Sequence, residues 1–308
     1  MNYTNLGNTG LRVSTVGLGC GGPSRLGQRA GKNLKQSIRL VRKAVDLGVN
    51  LLDTAESYGT EEIVGAGIRE IPRDRVVVST KKILPTPDDP DPAATIATGL
   101  DGSLKRLGTE YIDIYHLHGV SNTRYDFAAS VLAPILMHLK ETGKIRAVGI
   151  TEEFPANPRH EMLQRGLHDP WWDVVMVGFN LLNPSARRSV FPLTLERGVG
   201  TLVMFAVRRA LSRPADLEEL IRKMEREGIL HPHTDLGFLT TNNCAQTLTE
   251  AAYRFCVHEP GVDVVLTGTG DARHLEANIA AALKPPLPPK ILERLEALLG
   301  QIDSVTGN

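Results

Sequence analysis

The chain has 308 residues, 42% of them hydrophobic, and its 35 basic side chains are balanced by 35 acidic ones. Zero net charge supplies no basic field for nucleic acid or an anionic membrane surface, and no apolar run of about eighteen residues supplies a membrane span. Cys20, Cys244 and Cys256 stand at scattered positions, which makes neither a disulfide framework nor a metal pair and implies reduced thiols in a cytoplasmic protein.

The first residues, Met1 to Asn5, are polar and lack the basic and apolar regions of a signal peptide. Tyr3–Leu6 and Leu11–Val13 flank Gly7-Asn8-Thr9-Gly10, which predicts a β-hairpin placed to plug the bottom of whatever follows. Short β-branched runs then alternate with longer amphipathic stretches. The runs are Val13–Leu18, Val49–Leu52, Val76–Ser79, Ile112–Leu117, Ile145–Ile150, Val174–Val177, Thr201–Phe205 and Val262–Leu266. Helical patterns separate them at 36–47, 60–69, 92–107, 129–142, 159–168, 185–197, 246–258 and 271–282. Strict alternation predicts a parallel sheet, and eight units predict closure into a (β/α)8 TIM barrel of one domain, residues 1–308. A long connection, 206–245, carries its own helix at Pro214–Glu227, and the proline-rich Pro285–Pro289 starts a further C-terminal helix ending near Gln301.

The predicted strand ends bring chemistry to one face. The second barrel strand runs into Asp53-Thr54-Ala55-Glu56-Ser57-Tyr58, the third ends at Ser79-Thr80-Lys81-Lys82, and the fourth at His116-Leu117-His118. Barrel enzymes keep their reacting groups at such C-terminal ends. A tyrosine with a pKa of about 10 is a poor acid at neutral pH. An ammonium beside it stabilises phenolate, a carboxylate keeps that ammonium charged and aimed, and a histidine can orient a carbonyl. A site without a strong nucleophile or a metal needs a hydride carrier, and a nicotinamide is one.

The chain resembles the aldo-keto reductase superfamily along nearly its whole length. The resemblance rests on Leu6-Gly7-Asn8-Thr9-Gly10-Leu11-Arg12-Val13-Ser14 with Val16-Gly17-Leu18-Gly19, on Gly48-Val49-Asn50-Leu51-Leu52-Asp53-Thr54-Ala55 with Tyr58-Gly59, and on Asp113-Ile114-Tyr115-His116-Leu117-His118. It implies the barrel fold and a catalytic tetrad of Asp53, Tyr58, Lys81 and His118, with Tyr58 as general acid. Lys81 rather than Lys82 matches, because it directly follows the Ser-Thr pair.

The resemblance also implies a nicotinamide cofactor, NADP(H) favoured and NAD(H) possible, and a small-molecule carbonyl or alcohol as substrate. Its cofactor positions fall on Gly19, Cys20, Gly21 and Asp53, then on Thr151 and Glu152 where a Ser-Asn pair is usual. They continue with Met176 in place of Gln, and with Met204 and Phe205 where an aromatic ring often stacks. Gly268, Thr269, Arg273, His274 and Asn278 match the adenosine end. Relatives of this fold also serve as accessory subunits of channels, so a nicotinamide-binding sensor with little turnover is the alternative reading.

Other residues admit plainer readings. His116 lies two residues before His118 on the same strand face, and without further ligands on later strands it reads as a buried neutral histidine. Trp171-Trp172 either lines a binding site or covers a helix end. Arg208-Arg209 either faces a phosphate or stands in solvent. His231, His233 and Asp235 read as loop residues rather than a metal cluster.

Overall fold

Alternation along the strands sorts the side chains into two cores. In the computed structural model, which describes residues 1–241 and 244–308, the strands are β1 Tyr3–Asn5, β2 Arg12–Ser14, β3 Val16–Gly19, β4 Leu51–Asp53, β5 Val77–Ile83, β6 Ile112–Val120, β7 Ile145–Glu152, β8 Val174–Gly178, β9 Gly200–Met204 and β10 Val264–Thr267. Strands β3 to β10 form a closed parallel barrel, sealed by pairing of β10 with β3. Leu51, Val77, Ile114, Ala147, Val174, Met176, Leu202 and Val264 point inward. Their neighbours Leu52, Val78, Tyr115, Val148, Val175, Val203 and Val265 point outward against the helices. Because the side-chain period of a strand is two, this parity also decides which polar residues reach the barrel mouth.

Strands β1 and β2 pair antiparallel, Thr4 opposite Val13. Leu6, Leu11 and Val13 join the inward core, so the predicted plug is present. The turn beds on the start of β9. Gly7 has φ +48°, and a Cβ there would lie 2.4 Å from the Gly200 nitrogen. The Gly7 N–H also donates to Asp263 Oδ2 at 3.2 Å.

Several boundaries differ from the sequence reading. Val13–Leu18 is two strands, because Ser14 Oγ donates to the Val16 carbonyl and the Ser14 N–H donates to Asn50 Oδ1, turning the chain at Thr15. The pattern at 185–197 breaks at Val190 into Ala186–Ser189 and Phe191–Arg197, since Pro192 cannot donate to the preceding turn. The pattern at 129–142 opens with a π-helical turn, Ala128–Leu132, before Ala133–Glu141. The long connection holds helices Arg209–Ser212 and Pro214–Arg226, and its residues 242–243 lie outside those described. Helix Pro289–Leu299 closes the order as expected. Among the described residues, no helix is long and apolar enough to cross a membrane.

Candidate active site

Inward parity carries Asp53 on β4, Ser79 and Lys81 on β5, and His116 and His118 on β6. The register of β5 on β6, Lys81 beside His116, then brings them together. Lys82 points outward and pairs with Glu56 at 2.8 Å. Parity therefore selects Lys81 over its neighbour.

Lys81 Nζ donates to Asp53 Oδ1 at 2.5 Å and to the Thr54 carbonyl at 2.7 Å. Ser79 Oγ donates to the same Asp53 oxygen at 2.8 Å, and His116 Nε2 meets Ser79 Oγ at 3.1 Å. The ammonium lies 5.2 Å from the centre of the Tyr58 ring. Tyr58 OH is 3.4 Å from His118 Nε2, with the two rings edge to face. Tyr58 is the last residue of a single 3-10 turn, Glu56–Tyr58, ended by Gly59 at φ +69°. Its ring fills the space over Gly21, where a Cβ would fall 2.3 Å from a ring carbon. Gly21 thus seats Tyr58.

The electrostatics are coupled. Burial pushes the Tyr58 phenol up, the Lys81 ammonium pulls it down, and Asp53 and Cys20 add to the rise, so the net direction is upward. Burial works against charged Lys81, yet Asp53 and Tyr58 outweigh it and hold its pKa above the usual lysine value. Burial first and Lys81 second pull His118 down to about 3, which keeps its ring neutral near pH 7. His116 is fully buried, pushed well down by burial and Lys81, and backed by Gly149, where a Cβ would sit 2.1 Å from its Nδ1. It is the buried neutral histidine the sequence suggested.

The positions expected to meet a cofactor divide by parity. Gly19, Thr151, Met176 and Met204 stand on the inward side. Cys20 and Glu152 do not, which corrects the reading of both side chains as cofactor contacts. Cys20 is wholly buried in the outer core, and burial raises its thiol pKa. The Glu152 side chain has no exposed surface: its carboxylate meets His160 Nδ1 at 2.9 Å and accepts from the Gly178 N–H at 2.7 Å. His160 Nε2 continues to Ser185 Oγ at 3.0 Å. The sequence gives no sign of His160, whose approach depends on the fold of the loop after β7.

Phe205, at φ +68°, stacks on Phe154 with ring centres 5.9 Å apart. Asn278 Nδ2 donates to Thr267 Oγ1 at 2.9 Å, and Thr269 Oγ1 accepts from the Asp271 N–H. Arg273 and His274 are exposed at the start of helix Ala272–Ala282, where Asp271 already caps the helix and pairs with Arg273 at 3.3 Å. Ser79 was a missed member of the site; lying two residues before Lys81 on one strand face, it was open to the same parity argument.

A nicotinamide cofactor fits this mouth. The facing ends of β3 and β10 carry Gly19 and Gly268, whose backbones approach so that a Cβ on Gly268 would lie 3.4 Å from the Gly19 carbonyl oxygen, leaving a strip free of side chains. Thr151 Oγ1 accepts from the Gly119 N–H at 2.7 Å, which leaves its hydroxyl proton for an amide oxygen. Among the described residues, no group of three or more His, Cys, Asp or Glu could hold a metal, and His231, His233 and Asp235 form none.

A parallel barrel with an acid–base constellation at its C-terminal mouth defines a class of barrel oxidoreductase. Residues 17–299 match the model of the aldo/keto reductase family. The chain is 29% identical to the aldo-keto reductase YhdN of Bacillus subtilis over 90% of its own length and 87% of the relative's. It is 27% identical to the L-galactose dehydrogenase of Arabidopsis thaliana, covering 98% and 95%. The solved holo form of aldo-keto reductase AKR11C1 from Bacillus halodurans superposes with a TM-score of 0.75 at 25% identity, covering 97% and 96% of the two chains. The chain belongs to the aldo/keto reductase family, and it is an NAD(P)-dependent oxidoreductase of carbonyl and alcohol groups.

Proposed function

We propose that this chain works as one catalytic domain that reversibly reduces an aldehyde or ketone to an alcohol, with Tyr58 delivering the proton. The observation that carries the reading is the link from Asp53 through Lys81 to Tyr58 beneath His118. The cofactor, when bound, supplies hydride to the carbonyl carbon. Tyr58 gives its hydroxyl proton to the carbonyl oxygen as charge develops there. Lys81 stabilises the phenolate left behind, and Asp53 with Ser79 and the Thr54 carbonyl holds Lys81 in place. Neutral His118, 3.4 Å from Tyr58 OH, fixes where the carbonyl oxygen sits. In the reverse direction the Tyr58 phenolate takes the alcohol proton.

Thr151, Met176, Met204 and the Gly19 and Gly268 backbones would hold the nicotinamide end, and Thr269, Asn278, Arg273 and His274 the adenosine end. The exposed Arg273 and His274 favour NADP(H), with Asp271 as their built-in competitor; NAD(H) is the second choice. Consumption of NADPH with 4-nitrobenzaldehyde tests the reading against a sensor that binds cofactor without turnover. Cofactor binding by fluorescence quenching with no turnover of any simple aldehyde would favour the sensor.

A further inference from the structure

Arg208 follows β9 at the barrel mouth and is half-buried. Its guanidinium carbon stacks 4.1 Å from the centre of the Phe205 ring, and its Nη1 is buried with no hydrogen-bond partner. Among the described residues, no carboxylate lies within 4.0 Å of it. Four other partly buried arginines are answered by carboxylates, Arg73 by Asp113, Arg106 by Glu61, Arg187 by Glu259 and Arg254 by Glu250, whereas Arg124 meets only the Pro85 carbonyl. Its neighbour Arg209 is exposed and closes on Asp216 at 2.7 Å. A guanidinium taken out of water without an anion is costly, and burial alone depresses its pKa.

What Arg208 does meet is a neutral, solvent-facing acceptor. Its Nε donates to Asn308 Oδ1 at 2.9 Å. The tail is tethered by Asn183 Nδ2 to the Val305 carbonyl at 2.8 Å and by the Ala210 N–H to the Gly307 carbonyl at 3.0 Å. A carboxylate or phosphate oxygen makes a stronger, charge-assisted bond to the same guanidinium and would displace the amide. These contacts lie with Phe205, a position expected at the nicotinamide end, and with Gly307 and Asn308, whereas the turn expected to hold the cofactor's adenosine end packs on Gly19 and Gly27.

We propose that Arg208 recognises an anionic group on the carbonyl substrate, a carboxylate or phosphate, taking the place of the Asn308 amide. The proposal rests on the carbonyl-reductase reading above. It is tested with 4-formylbenzoate and its neutral methyl ester. Arg208→Gln lowers the ratio of kcat/KM for acid over ester about 10- to 100-fold, and Arg208→Lys keeps part of it. Titration of the NADP⁺ complex with 4-formylbenzoate, which needs no turnover, shows the same loss of affinity. An unchanged ratio and affinity overturns the proposal. So does an equal fall for both aldehydes together with weakened NADP⁺ binding, which would assign the guanidinium to the cofactor's diphosphate. If neither aldehyde turns over, the reductase reading fails, and the titration still decides whether Arg208 selects the anion.

Discussion

At the residue scale, the acidity of Tyr58 is contested. Burial raises its pKa while Lys81 opposes that rise. With the acid form required for reduction, the reductive rate is expected to stay level between about pH 6 and pH 9 and to fall only as the phenol ionises. A reductive rate that already fell as pH rose from about 6 to 8 would point to a protonated histidine as the acid instead. Lys81→Met removes the opposing charge and is expected to slow turnover by about 100-fold or more while cofactor affinity holds, read from kcat and a quenching titration. His118 adds a stability signature. Its folded pKa of about 3 lies below the usual histidine value of 6.5, so the contribution is complete above about pH 6.5 and is lost as pH falls toward 3. Unfolding free energy should drop by about 2 kcal/mol from this group between pH 6.5 and 5, and His118→Asn should flatten that slope. An equal slope in the variant would refute the shift.

At the scale of elements, the convergence of Asp53, Lys81 and His118 was legible in the sequence because each stands at a strand end and strand parity is fixed, while Tyr58 is set by the short turn after β4. Lys81 and Lys82 differ by one position and so by one face. The same rule places Cys20 and Glu152 outside, a step that reading by resemblance alone passed over. What parity could not supply was His160, brought to Glu152 by an irregular loop in which His160 itself has φ +61°. Removing the Glu152 carboxylate leaves His160 and the Gly178 N–H without their acceptor. Glu152→Ala is therefore expected to cost roughly 2–4 kcal/mol in urea unfolding, with Glu152→Gln recovering much of it. A large loss of cofactor affinity without loss of stability would return Glu152 to the cofactor site.

At the scale of the molecule, eight alternating units made the closed barrel legible, and the hairpin floor was legible from its glycine turn. The break at Val190 was open to the same kind of reading through Pro192, whereas the π-helical turn at Ala128–Leu132 carries no glycine or proline to mark it. The barrel holds Tyr58 on β4's end against Lys81 and His118 on β5 and β6, so the site exists only when three adjacent strands are in register. The floor supports that register: Gly7→Ala, which would press a Cβ onto the Gly200 backbone, is expected to lower the melting temperature by several degrees. The central claim is the proton from Tyr58, and single-turnover reduction of 4-nitrobenzaldehyde by preloaded Tyr58→Phe enzyme tests it most directly. The account predicts NADPH affinity within about threefold of the parent and a hydride-transfer rate lower by about 100- to 10,000-fold. A Tyr58→Phe enzyme that bound NADPH and reduced the aldehyde at the parent rate would contradict it.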